Sequence, residues 1–375
     1  MSLSRNNDPR IKLLVPLLRS GLGGDIALSL PPEANWDSVI SLAMSQGLDA
    51  LAFDGLLAIY ERHPELGAAL DASLGEKKIE WLGYTLQAER DYEAYREKLR
   101  DLAAFFGKEG LRMLVLKGYG LSLDYPNPAH RPTGDLDVYF YGRGKEADER
   151  MKTGLGIEPK QNEDKHSKSR YKGLLVENHA TFLNVAGHPG LREIEDELEH
   201  EALEATTRTI AGIGFLVPSP AMNALFLPCH MATHFAYDGI TMKQWVDWAA
   251  FAIRHGRELD WEPVRGLAER AGRLPLFRAF NGIVQEHFGV PSSCLPDWGR
   301  DIILEDKIWI DCLTPRKDRS SRSVGEKLHD YFSSRWKYRL AYPDSYFLNF
   351  FRQGWASFRG RHLPRSRTVW NRIPH

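Results

Sequence analysis

Two aspartates, Asp135 and Asp137, carry the strongest chemical signal in the chain. The apolar residues that follow predict a strand over Leu136–Phe140, and side chains two positions apart on a strand point to the same face. Two adjacent carboxylates are oxygen ligands that suit Mg²⁺ when it also binds phosphate. A D-x-D pair also arises by chance at the end of a surface strand, so the prediction of a phosphoryl- or nucleotidyl-transfer site needs support from other residues.

A third carboxylate, Glu177, lies in a later predicted strand within 171–183, two positions before His179. Glu177 and His179 should therefore share one face of that strand. If this strand pairs beside the first, the three acids converge. A third carboxylate in such a site deprotonates the attacking hydroxyl or completes the shell of a catalytic metal.

Basic residues near the aspartates could hold phosphate groups. Lys117-Gly118 ends a predicted strand over 113–116, where glycine lets the backbone approach phosphate and the next helix start offers N–H groups. Arg131 is either a bidentate phosphate ligand or a structural partner of Asp135. Lys243 is a candidate contact for a base or phosphate, with a solvated lysine as the alternative.

Histidines and a basic segment give weaker signals. His230 and His234 share one helix face; a zinc site there would need Cys229 or Asp247 as a further ligand, and no spacing requires it. We therefore favour positions facing the cleft or a buried hydrogen-bond network. The basic hairpin over 160–172 either holds a polyanion or is an exposed charged turn.

The elements that would position these residues follow a clear order. Residues 1–108 have helical periodicity and end in a long amphipathic helix over 76–107. Short strands are predicted over 113–116, 136–140, 171–183 and 214–217. Helices follow from Ser219, an N-cap before Pro220, to about residue 286. Helices, a mixed strand–helix core and more helices make an α+β chain.

Composition sets the general class of protein. The chain has 375 residues, 43% of them hydrophobic and 26% charged, as in an ordinary globular protein. Its three cysteines lack paired spacing, which argues against a disulfide framework. No secretory signal or transmembrane segment is predicted, and we expect a cytoplasmic location.

Positive charge is concentrated at the C-terminus. From Arg316 onward there are 14 lysines and arginines against four acids, although the whole chain has a net charge of −1. This region could contact an anionic partner such as nucleic acid or a membrane surface. A solvated tail, or a strap across the acidic remainder, explains it equally simply.

Several short motifs together resemble one known family. LKG at a strand end, Y-P-x-P, R-P-x-G-D-x-D and V-E-x-H are similar to the uncharacterised nucleotidyltransferase family of the DNA-polymerase-β superfamily. The likeness continues through Pro218-Ser219-Pro220, His230, His234 and Trp245-Val246-Asp247. It runs from about residue 36 to residue 290.

The resemblance implies a polymerase-β-type core over 109–218, between an N-terminal helical region (1–108) and a helical domain (219–290) that closes the cleft. Residues 291–375 would be a basic extension. The matching positions make Asp135, Asp137 and Glu177 the metal carboxylates, with Mg²⁺ or Mn²⁺ as cofactor, and Lys117-Gly118 the phosphate-side turn. The implied reaction is attack by the hydroxyl of an unidentified acceptor on the α-phosphate of a nucleoside triphosphate, with release of pyrophosphate.

Two alternatives belong to other classes. A metal-dependent glycosyltransferase also uses D-x-D, but it gives no reason for Lys117-Gly118 or Glu177. A non-catalytic nucleotide-binding or regulatory module on the same fold is supported by Tyr119, where many relatives have serine or threonine. Asn178, where an apolar residue is expected, supports the same alternative.

Overall fold

The computed structural model describes residues 8–25, 34–162, 166–185, 188–237, 239–314 and 333–343. The N-terminal helices are α1 (Pro9–Gly21), α2 (Trp36–Gln46), α3 (Asp49–Arg62), α4 (Pro64–Leu74) and α5 (Lys77–Lys108). The middle of the chain contains β1 (Leu114–Val115), α6 (Tyr119–Ser122), β2 (Leu136–Tyr139), α7 (Gly144–Leu155), β3 (Lys160–Asn162), β4 (His166–Tyr171), β5 (Leu174–His179), α8 (Arg192–Glu201), β6 (Thr206–Ile210) and β7 (Ile213–Val217). The remaining helices are α9 (Pro220–Tyr237), α10 (Met242–His255), α11 (Glu262–Arg270), α12 (Leu274–Phe288), α13 (Ile302–Leu313) and α14 (Arg335–Ala341). This order confirms the α+β class.

The strands form one mixed sheet of seven strands in the order β3-β4-β5-β2-β1-β7-β6. Strand β2 is antiparallel to β1 and parallel to β5. The parallel register places Asp137 directly beside Glu177. Leu136 and Val138 point to the opposite face, where they pack with residues of α5. The acids therefore lie on the face turned toward α9.

The strand predicted over 171–183 is present but shorter, since β5 spans only Leu174–His179. The chain makes a hairpin there, with β4 and β5 joined at Lys172 and Gly173, whose φ angles are 47° and 83°. Strand β4 has little apolar character, but its alternate residues Ser167 and Ser169 are buried. Backbone pairing with β3 and β5 supplies the stability that the β4 side chains do not.

The long helix α5 was predicted within one residue at each end, but its buried face was not. Ile79, Leu82 and Leu86, expected on the buried stripe, are 75%, 42% and 43% exposed. The first turns instead bury Trp81, whose indole Nε1 donates to the Asp49 carbonyl at 2.9 Å. Packing against α3 thus selects a different face from the one that apolar periodicity indicates.

The helices from both ends of the sequence share one apolar core. Helix α1 packs on α3 and on α12, and Leu13, Leu51 and Phe280 belong to one buried cluster. The predicted boundaries at residues 108, 218 and 290 remain predictions. Among the residues that the structure describes, none of the helices combines a bilayer's length with an apolar sequence.

Of the residues from Arg316 onward, most lie outside the described residues, and only 333–343 are described. These residues include α14, which packs on α9. Tyr342 stacks on His188, with ring centroids 3.5 Å apart. The expectation of an anionic partner for this region stays a prediction.

Candidate active site

Asp137, Glu177 and His179 form a compact group on the α9-facing side of the sheet. One ligand-capable atom from each lies within 4.8 Å of the other two. The β2–β5 register brings Asp137 beside Glu177, and the two-residue period of β5 adds His179 to the same face. The His179 Nε2 lies 2.8 Å from Asp137 Oδ1, and the Asp137 side chain is only 2% exposed. The arrangement is suited to binding one divalent cation.

Two lysines neutralise the carboxylates of this group. Lys117 Nζ lies 3.1 Å from Asp137 Oδ1, and Lys168 Nζ forms an ion pair with Glu177 Oε1. Lys117 also donates to His230 Nε2 at 3.0 Å. Lys168 comes from the basic segment over 160–172, so the interpretation of that segment as an exposed charged turn is wrong at this residue.

These contacts determine the charge states of the buried groups. Burial acts to raise the pKa of Asp137, but Lys117 and the hydrogen bond from His179 outweigh it and hold the pKa well below its usual range. Burial and the positive charge of Lys117 lower the pKa of His230 far below that of a free imidazole. Asp137 is therefore anionic and His230 neutral at ordinary pH.

Asp135 lies just before β2 and is not a member of the group of three. Its side chain reaches solvent, but its pKa is raised. The first cause is partial burial of the carboxyl group, and the second is the negative charge of Asp137. Lys243 faces the same region from α10. Burial, with Arg131 as the next cause, lowers the pKa of Lys243 to about 8. The role of Asp135 as a metal ligand beside Asp137 and Glu177 stays a prediction.

Arg131 is committed to protein partners. Its Nε and Nη2 donate to Asp247 at 2.8 and 3.0 Å, and its Nη1 donates to the Gly118 carbonyl at 3.0 Å. Tyr125 Oη also donates to Asp247, at 2.7 Å. The acid that Arg131 pairs with is thus Asp247 and not Asp135, while its role as a phosphate ligand stays a prediction. Arg131 also holds the Lys117-Gly118 turn in place.

The turn itself requires glycine. Gly118 has φ +56°, and a Cβ there would lie 2.7 Å from Tyr95 Oη. That phenol is buried without a hydrogen-bond partner among the described residues. Tyr119 points into the core, where it stacks on Tyr92 with ring centroids 5.9 Å apart. The hydroxyl group beside this turn is therefore that of Tyr95 in α5, and not that of Tyr119, the residue after the glycine.

Asn178 also lies outside the site. It points to the opposite face from Glu177, and its Nδ2 donates to the Gly144 carbonyl and to Asp148 Oδ1, both at 2.8 Å. Its amide therefore fixes the start of α7 against the sheet. The two unusual residues of the motif, Tyr119 and Asn178, have structural partners that explain them.

Two further histidines, His179 of β5 and His166 of β4, lie beside the carboxylates of the site. His179 was noted in the sequence only for sharing a face with Glu177, and that spacing was the available signal. His166 Nε2 lies 3.6 Å from Glu177 Oε2, and both nitrogens of this ring are buried without a hydrogen-bond partner among the described residues. No sequence signal distinguished His166 from its basic neighbours.

The histidines of α9 contact the site from above the sheet. His230 and His234 have ring centroids 4.5 Å apart, and only His230 is hydrogen-bonded to Lys117. Within the described part of the chain, the metal-capable group contains neither of them. Asp247, considered as a third zinc ligand, is bound by Arg131.

Comparison with known proteins gave one finding. The model of a family described as "uncharacterised nucleotidyltransferase" matches residues 32–289. No match to the chain was found among curated proteins or among solved structures. The matched range contains the sheet, the two lysine–carboxylate pairs and helices α9 and α10.

Proposed function

Because this chain belongs to the uncharacterised nucleotidyltransferase family, we propose that it transfers a nucleotidyl group from a nucleoside triphosphate to a hydroxyl acceptor, with release of pyrophosphate. The observation that carries the proposal is the group of Asp137, Glu177 and His179 within 4.8 Å, with Lys117 3.1 Å from Asp137. A cation site beside a phosphate-binding turn is what this reaction needs.

The donor set fits a divalent metal ion. Asp137, Glu177 and His179 would hold it, since their ligand atoms are close enough to share one coordination shell. When bound, such an ion neutralises phosphate charge and polarises the reacting oxygens. Mg²⁺ prefers oxygen ligands, whereas the imidazole of His179 suits a transition metal better. The set therefore supports Mn²⁺ at least as well as Mg²⁺.

The lysines would bind the triphosphate. Lys117 and Lys168 each pair with one carboxylate in this structure, and both would exchange that partner for phosphate oxygens when the carboxylates take up a cation. Lys243 has a pKa lowered to about 8 by burial and by Arg131, so an arriving phosphate would favour its protonated form. Three fixed positive charges would then stabilise the leaving pyrophosphate.

Asp135 is our candidate for accepting the proton of the attacking hydroxyl. Its side chain reaches solvent, where an acceptor could approach, and its raised pKa is closer to that of an effective general base. Glu177 is better suited to the metal shell, the other role considered for it, because it lies beside Asp137 and His179.

The proposal is tested by incubating the full chain and cell extract with each α-labelled nucleoside triphosphate and Mn²⁺ or Mg²⁺, and following the labelled product. Asp137→Asn should lower the transfer rate at least ~100-fold, the scale seen when one electrostatic contact of a reaction is removed. The matched control is Asp101→Asn, at a half-buried aspartate paired with Lys172. Transfer that is equal in Asp137→Asn and the native chain would contradict the proposal.

The same assay separates the remaining alternatives. Nucleotide binding by calorimetry without transfer to any acceptor would favour a regulatory module. Transfer from a sugar nucleotide but from no triphosphate would favour a glycosyltransferase, an alternative for which the family match gives no support.

A further inference from the structure

Two adjoining cavities lie away from the candidate active site. The smaller has a volume of about 90 Å³ and the larger about 480 Å³. Leu123, Asp124 and Arg254 line both cavities, which are therefore neighbours. Neither is lined by Asp137, Glu177 or any other residue of the site proposed above.

The smaller cavity has an excess of positive charge. Arg208 from β6 and Arg254 from α10 line it, and neither forms an ion pair or hydrogen bond with a described residue. The acid of this cavity, Asp124, is already paired with His255, whose Nε2 lies 2.8 Å from Asp124 Oδ1. Two unpaired guanidinium groups remain, and guanidinium binds phosphate or carboxylate through two parallel hydrogen bonds.

A buried amide points to a ligand independently of these charges. Asn223 lines the same cavity and is only 7% exposed. Its Oδ1 is buried without a hydrogen-bond partner among the described residues. Buried polar groups in native proteins nearly always have a partner, which can be a ligand. A ligand that also carries a hydroxyl or amine would supply the missing donor.

The larger cavity is suited to an organic body. Its lining includes the apolar side chains Leu22, Pro126, Pro128 and Ile253 and the ring of Tyr125. Its volume falls in the range of roughly 300–1,000 Å³ that is typical of small-molecule sites. The smaller cavity holds only the equivalent of about three water molecules, which is enough for an oxyanion but not for a whole metabolite.

We propose that these two cavities form a second binding site, which takes a small organic oxyanion. Its phosphate or carboxylate group lies between Arg208 and Arg254, and its apolar part occupies the larger cavity. The site needs neither the metal nor the nucleotide of the proposed reaction, so the two proposals stand or fail separately.

The experiment is calorimetric titration of the full chain, in buffer with EDTA, using phenyl phosphate, benzoate, inorganic phosphate and phenol as probes. Phenyl phosphate or benzoate should bind saturably with one-to-one stoichiometry. Inorganic phosphate should bind at least tenfold more weakly, and phenol should not bind. The tighter of the two organic anions identifies the preferred oxyanion.

Variants of the lining residues test whether the probe binds in these two cavities. Arg208→Ala/Arg254→Ala should weaken binding at least tenfold, and Asn223→Asp should weaken it by adding a negative charge. Arg257→Ala, at an exposed arginine that lines neither cavity, is the matched control and should change affinity less than twofold. Both arginines of the double variant are exposed, and an unchanged circular dichroism spectrum should verify its fold.

Three results would overturn the proposal. The first is the absence of saturable binding by either organic anion. The second is equal affinity in the double variant and the native chain. The third is loss of binding in Lys117→Ala together with retention in the double variant, which would place the probe at the candidate active site.

Discussion

The candidate active site and the Arg208–Arg254 cavity use the same kinds of side chain in opposite ways. In the active site, Lys117 and Lys168 are each paired with a carboxylate. In the cavity, the two arginines have no acidic partner among the described residues. The first region must exchange partners before it binds an anion, whereas the second can bind one directly. Lysine–carboxylate pairs suit a site that binds a metal cation and a phosphate anion together, because the carboxylate can bind the first and the lysine the second.

The largest expected effect comes from removing a paired, buried charge. Arg131→Leu leaves Asp247 buried without its guanidinium partner and should lower the free energy of unfolding by about 3–5 kcal/mol. Arg254→Ala, at an exposed arginine with no charged partner among the described residues, should change the free energy of unfolding by less than about 0.5 kcal/mol. Urea unfolding followed by circular dichroism measures both. An equal loss of unfolding free energy in the two variants would contradict the difference between the paired and the unpaired arginine.

The backbone that holds Lys117 provides the next test. Gly118→Ala combines a positive φ with a Cβ 2.7 Å from Tyr95 Oη, and should cost about 2–3 kcal/mol of stability. The control is Gly142→Ala, where φ is +77° but nothing lies within 4 Å of the new Cβ. It should cost only about 1 kcal/mol. Tyr95→Phe added to Gly118→Ala should recover part of the difference, because it removes the close oxygen.

The pairing of lysines with carboxylates in the candidate active site can be tested by measuring its affinity for a metal ion. Lys168→Met removes the cation beside Glu177 and should strengthen Mn²⁺ binding in the absence of nucleotide by about tenfold, equivalent to ~1.4 kcal/mol. It should also weaken triphosphate binding. Paramagnetic resonance of free Mn²⁺ follows the first effect. The control is Lys172→Met, at an exposed lysine paired with Asp101, which should leave both affinities unchanged. Weaker Mn²⁺ binding in Lys168→Met would contradict the proposal that Lys168 leaves Glu177 when the metal binds.

The smallest effect concerns a pair whose charge changes with pH. His130 Nδ1 lies 2.6 Å from Asp54 Oδ2, and its Nε2 lies 3.1 Å from Glu89 Oε1. Burial acts to lower the pKa of His130, but these carboxylates outweigh it and raise the pKa above 6.5. A raised folded-state pKa stabilises the fold fully below pH 6.5, and this contribution is lost as the pH rises through the folded value.

Asp54→Asn should therefore reduce stability by up to about 1 kcal/mol at pH 5.5 and by less at pH 8.5. Thermal unfolding at the two pH values measures the difference. A larger loss at the higher pH would reverse the assigned direction. Unlike the Arg131–Asp247 pair, this one depends on a histidine whose charge changes with pH.

The sequence predicted what depends on short-range periodicity. The two-residue period of a strand was enough to place Glu177 and His179 on one face, and Ser219 was correctly identified as an N-cap, since its Oγ accepts from the Met222 N–H at 3.0 Å. The family resemblance over about 36–290 agrees with the matched range 32–289. These features are set by local geometry or by motifs of a few residues.

Long-range contacts could not be predicted in the same way. Arg131 and Asp247 are 116 positions apart, and no local pattern shows that one arginine prefers that acid to Asp135. The face on which α5 buries Trp81 is likewise decided by α3 rather than by the periodicity of α5 itself. The polar strand β4 forms because its neighbours in the sheet pair with it.

The common core of the first and last helices has a consequence for biosynthesis. Helix α1 leaves the ribosome early, but α12, on which it packs, is made more than 250 residues later. At roughly 5–20 residues per second, the apolar side of α1 waits for tens of seconds without its partner. During that interval we expect the nascent chain to be a good client for a chaperone that shields exposed leucine side chains.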